Sequence, residues 1–112
     1  MENRRKISLK IPIILAELRR QFEGLYGPQR VRMVLFGSHA RGDAGPGSDQ
    51  DILVVLRGQV NPGEEIARTG KVAAALSLEY NVVISCTFVS AVRYAKEQNP
   101  FLLNVRNEGI AI

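Results

Sequence analysis

A single cysteine in 112 residues, Cys86, has no partner for an internal disulfide, so nothing in the chain asks for an oxidising compartment. There is no tryptophan and only one histidine, His39, which excludes zinc sites built from spaced cysteine and histidine pairs. No apolar run approaches the roughly 20 residues needed to span a bilayer. The basic start Met1–Lys6 leads to Pro12 and Glu17-Leu18-Arg19-Arg20 rather than to an apolar export segment. The expectation is a soluble, cytoplasmic protein with no membrane partner. The chain also lacks a Gly-x-x-x-x-Gly-Lys-Ser/Thr loop and a strand-linked Gly-x-Gly-x-x-Gly, two common phosphate-binding signatures. Net charge is +4, with Arg4, Arg5, Lys6, Lys10, Arg19 and Arg20 gathered in the first twenty residues. No aromatic side chains interleave with them as a single-strand stacking platform requires, so a solvated helix face is favoured over a nucleic-acid footprint.

What is present fits one domain over residues 1–112, with 46% apolar and 23% charged residues. Ile11, Ile14, Leu15, Leu18, Phe22 and Leu25 recur at helical spacing, Ser8 can cap, Pro12 suits a first turn and Gly27-Pro28 stops the pattern. This predicts a helix over about 9–26. Val31 to Phe36 reads as a strand, the glycine-rich stretch Arg41–Ser48 as a turn or loop, and Asp51–Leu56 as a strand packed centrally. Asn61-Pro62-Gly63-Glu64 places a cap, a proline and an acidic residue at a helix start, ahead of Ile66 to Leu78. Val82–Val89 makes a third strand. Ser90 caps a helix through Gln98, and Asn99-Pro100 opens a last one over Phe101–Asn107, with Gly109 at its end. The fold class is α/β (α+β): a small mixed β-sheet with helices packed against it.

Asp49-Gln50-Asp51 enters an otherwise apolar strand. Residues two apart on a strand share a face about 6.5–7 Å apart, so both carboxylates look at one point. Such a pair needs open water or a cation, and Mg²⁺ is the natural one, since it is commonly held by one or two carboxylates plus substrate phosphates. Ahead of them, Gly37-Ser38 lies where a strand runs into a turn. There a glycine lets backbone N–H groups approach a phosphate, and Ser38 adds a hydroxyl. Arg41 can reach the same phosphates as a cation. Phosphates on one side and metal on the other is what phosphoryl or nucleotidyl transfer needs.

Leu35-Phe36-Gly37-Ser38-His39-Ala40-Arg41-Gly42-Asp43, followed by Gly47-Ser48-Asp49-Gln50-Asp51-Ile52-Leu53-Val54-Val55, resembles the signature of minimal nucleotidyltransferases of the DNA polymerase β-like superfamily. The resemblance implies ATP or a similar nucleoside triphosphate as donor, two Mg²⁺ ions, and attack by a hydroxyl on the α-phosphorus with pyrophosphate leaving. Asp49 and Asp51 would be catalytic metal ligands, and Gly37, Ser38 and Arg41 would bind nucleotide. Chains of this size also resemble the antitoxin of HEPN–MNT modules, which implies a HEPN-type protein partner and AMP transfer to one of its hydroxyls. The alternative is a non-catalytic, nucleotide-binding antitoxin that masks a HEPN ribonuclease by contact. A homo-oligomer is a further way to recognise an acceptor.

The family's third carboxylate belongs on strand 3, yet no aspartate follows Asp51, and the aligned residue is Asn81. Three outcomes stay open: Glu79 supplies the third group after a two-residue register shift, Asn81 supports a slow enzyme, or the site binds without turnover. His39 reads as a surface or stacking group rather than a base. Arg41 has a structural pairing with Asp43 as its bland alternative, and Cys86 reads as a small core residue.

Overall fold

A computed structural model describes residues 2–45 and 49–112, with side chains from residue 11 onward. Pro46, Gly47 and Ser48 of the expected turn lie outside the described residues. The elements are α1 (Glu2–Tyr26), β1 (Val31–Phe36), α2 (Ser38–Arg41), β2 (Gln50–Leu56), α3 (Pro62–Tyr80), β3 (Ile84–Ser90), α4 (Ala91–Lys96), α5 (Pro100–Glu108) and β4 (Ile110–Ala111). The four strands form one mixed sheet in the order β3-β2-β1-β4. β1 pairs antiparallel with β2 and with β4, while β2 and β3, joined through α3, run parallel. No helix among the described residues is long and apolar enough to cross a membrane.

Alternation along the strands divides the apolar residues between two faces. On one face Met33, Leu35, Ile52, Val54, Leu56 and Phe88 meet Leu15, Leu18 and Phe22 of α1 and Leu76 of α3. On the other, Val34, Leu53, Val55 and Val89 meet Leu102 and Val105 of α5. β2 is central to both, and every one of its residues is buried except Asp51, which is half-buried.

Several boundaries differ from expectation. α1 begins at Glu2, so Ser8 is inside the helix rather than its cap, and Pro12 is an interior residue. A proline there removes a single backbone bond, and the following turns are held by the buried stripe Ile14, Leu15, Leu18, Phe22. That stripe ends on Tyr26 and not Leu25, because the i+4 step from Phe22 carries it there and leaves Leu25 44% exposed. α3 likewise buries Glu65, Thr69 and Leu76, while Ile66 and Leu78 face outward. Glu65 tolerates burial because the Tyr26 hydroxyl donates to its Oε1 at 2.7 Å and Arg68 pairs with it at 3.2 Å.

The expected caps hold: Asn61 accepts from Glu64 N, Ser90 from Arg93 N and Asn99 from Leu102 N. Gly109 ends α5, but with φ −68, so no left-handed backbone is involved. Its smallness matters because a Cβ there would overlap Val34 and the Val105 carbonyl as the chain closes onto β1 to form β4, a strand the sequence does not announce.

Candidate functional site

The site is assembled where β1 and β2 meet α2. β1 leaves the sheet at Phe36, paired with Asp51 across the antiparallel ladder, and turns at Gly37. Gly37 has φ 76 and ψ −154, a conformation essentially restricted to glycine. A Cβ there would also overlap the Asp51 Oδ2 atom and lie 3.3 Å from its Cγ, so the turn and the carboxylate are packed against each other. The next residues wind into the single turn of α2, with Ala40 N and Arg41 N donating to Gly37 O at 3.1 Å. The sequence anticipates a turn here but not a helical one.

Asp49 is exposed just before β2 and Asp51 is half-buried within it. The Asp51 carboxyl is held above its ordinary range, first by burial and then by repulsion from Asp49, with His39 and Arg41 opposing the shift. The structure therefore brings Gly37, Ser38, Arg41, Asp49 and Asp51 to one end of the sheet. The Asp51 carboxylate is thereby under electrostatic stress that a hard cation would relieve. Among the described residues no group of three or more His, Cys, Asp or Glu side chains gathers around a possible metal. An Asp49/Asp51 pair completed by phosphate oxygens and water is the donor set Mg²⁺ prefers, so the residues present fit that ion.

Arg41 pairs with Asp43 at 3.3 Å and with Glu108 of α5 at 3.7 Å. All three side chains are exposed, and such pairs contribute between nothing and about 1 kcal/mol, so the guanidinium can exchange them for a phosphate. His39 lies within hydrogen-bond distance of Gln50, with 3.0 Å between its ring Nε2 and the Gln50 Nε2. Gln50 is only 1% exposed and points to the α1/α3 face, away from the carboxylates, so His39 is tied to the base of the site. Sequence reasoning gave Gln50 no role, because a polar residue between two aspartates reads as a strand end in water.

Asn81 and Glu79 do not reach this end of the sheet as strand residues. Glu79 is in the last turn of α3, and Asn81 is that helix's cap at φ 53, its N–H donating to Ser77 O. Asparagine suits the left-handed cap, which accounts for Asn81 without a metal. β3 starts only at Ile84, and its register sets Ser85 directly beside Asp51 and Thr87 beside Leu53. Ser85 is thus the β3 neighbour of Asp51. The alternation of polar Ser85 and Thr87 with apolar Ile84 and Cys86 was the sequence signal that could have found it. Cys86 faces the core, where burial pushes its thiol up to about 12.

Residues 14–108 match the nucleotidyltransferase domain family, and the chain belongs to it. It is similar to a Methanocaldococcus jannaschii protein provisionally named a protein adenylyltransferase, at 29% identity over 105 residues that cover 93% of this chain and 100% of the relative. Among solved structures, it resembles a toxin–antitoxin crystal structure with AMP-PNP (TM-score 0.59, 20% identity) and a mutant of the toxin–antitoxin MntA-HpeT (TM-score 0.54, 22% identity). Each likeness covers 88% of this chain and 68% of the other, and establishes the shared α+β fold. The chain is a nucleotidyltransferase.

Proposed function

We propose that the chain transfers AMP from Mg-bound ATP to a hydroxyl of a partner protein. The observation that carries this reading is Asp51 packed against the Gly37 turn, with Asp49 and Arg41 within electrostatic reach of it. The name of the Methanocaldococcus jannaschii relative supports a protein acceptor, and the AMP-PNP of the first structural neighbour supports an adenine nucleotide.

In the reaction, Gly37-Ser38 and Arg41 hold the triphosphate, and Asp49 and Asp51 are the residues that would hold a cation beside the α-phosphate. The acceptor hydroxyl forms the new P–O bond and releases its proton to solvent, the bond to the β-phosphate oxygen breaks, and pyrophosphate departs with its charge stabilised by Arg41. Mg²⁺ held by the two aspartates would supply charge stabilisation at the phosphoryl oxygens. The partner is a HEPN-type toxin in this reading, and modification neutralises it.

The test is incubation of the protein and its partner with ATP labelled at the α-phosphate. Magnesium-dependent label on the partner, lost in Asp49→Asn/Asp51→Asn, is expected. Neutralisation that persists in that double variant without label would establish masking by contact instead.

A further inference from the structure

The carboxylate pair has neighbours on each side, and they differ in kind. Towards β1, Asp51 stands across from Phe36, whose ring packs edge-on against Phe101 of α5 at 5.4 Å. Above it lie the Gly37 turn and, electrostatically, His39 and Arg41. Towards β3, the strand that shares its face offers Ser85 and Thr87, both exposed and uncharged, with exposed Val83 just before it. The Gln50 N–H donates to Val83 O at 2.8 Å, which fixes the register at this end, so no slip brings Glu79 alongside Asp51.

The triphosphate-binding residues follow β1, so the incoming acceptor has the β3 side of Asp51 left to it. A divalent ion on that side would find Asp51 and a neutral hydroxyl. Affinity of hard cations for oxygen sites rises with the number of anionic ligands, and a serine oxygen adds none. An ion on the phosphate side shares both aspartates with the nucleotide and is well held.

We propose that this chain binds its nucleotide with one divalent cation, because Ser85 puts a neutral hydroxyl where a second ion beside Asp51 would need a charged ligand. The proposal rests on the nucleotide-transfer reading above.

The experiment counts Mn²⁺ bound to the full chain by electron paramagnetic resonance, with a non-hydrolysable ATP analogue at saturation. One tightly bound ion is expected for the wild type, two for Ser85→Asp, and one for Thr87→Asp, which puts the carboxylate one step further along the same face. Circular dichroism checks that each variant is folded. Two ions in the wild type, or one in a folded Ser85→Asp, overturn the proposal while leaving nucleotide transfer intact. Absence of analogue binding in the wild type overturns the nucleotide-transfer reading itself, and this inference with it.

Discussion

Gly37→Ala separates backbone strain from damage to the carboxylate site. The backbone at φ 76 and ψ −154 resists any L side chain, and holding an alanine there costs about 1–3 kcal/mol. Near 100 residues each kcal/mol lowers Tm by about 4–8 °C. The new methyl would also occupy the place of Asp51 Oδ2, so the carboxylate must swing away from the point it shares with Asp49. Gly58→Ala is the matched control, because Gly58 has φ 90 but nothing within 4 Å of where its Cβ would sit. Both variants should lose stability, by about 1 kcal/mol or more, in thermal unfolding followed by circular dichroism. Only Gly37→Ala should weaken Mg²⁺-nucleotide binding, by about tenfold or more in isothermal titration, equivalent to about 1.4 kcal/mol. Wild-type binding by a folded Gly37→Ala would refute the reading that Asp51, in the orientation this turn imposes, holds the metal with Asp49.

Asp51→Asn should raise Tm at neutral pH while abolishing transfer. The folded-state carboxyl is shifted above its unfolded value, so the folded protein holds that proton more tightly. Its contribution is therefore best below the ordinary value of 3.8 and is lost as pH rises through the folded-state value, and the variant's advantage should vanish in acid unfolding curves. Arg41→Ala should change stability by less than about 1 kcal/mol, since both its ion pairs are exposed, yet weaken nucleotide binding in titration. Tyr26→Phe removes the donor to buried Glu65 and should cost about 1–3 kcal/mol in urea unfolding, with no effect on nucleotide affinity. Cys86, with its thiol raised to about 12 by burial, should resist iodoacetamide in the native state at neutral pH and react once unfolded.

The strongly patterned elements were legible in the sequence because their signals are local. The apolar run Ile52–Leu56 could only be a central strand, and Asn61, Ser90 and Asn99 each announced a helix by the bond their side chains make to a backbone N–H. The carboxylate pair and the Gly37 turn were legible for the same reason, being close in sequence. What escaped depended on partners far along the chain. β4 exists because Gly109 lets α5 end against Val34, and the burial of Glu65 depends on Tyr26, 39 residues earlier. A search for a carboxylate-like third group lands on Asn81 or Glu79, which stand at the end of α3 and not in β3. Only the pairing of β2 with β3 shows that the neighbour of Asp51 is Ser85.

The two faces of the sheet carry different burdens, and β2 joins them. Its even-numbered residues from Ile52 to Leu56 are locked under α1 and α3, while Asp51, Leu53 and Val55 point to the face that α4 and α5 cover only away from the site. Gln50, sealed on the locked face and tied to His39, fixes the strand end between the two aspartates. Asp51 therefore cannot move its backbone away from Asp49 without unseating a buried neighbour. Rigidity supplied by the apolar face keeps an unfavourable pair of charges together on the open one, and a bound cation converts that repulsion into affinity. Loosening the locked face should then weaken metal binding as well as stability, even through residues that never touch the ion.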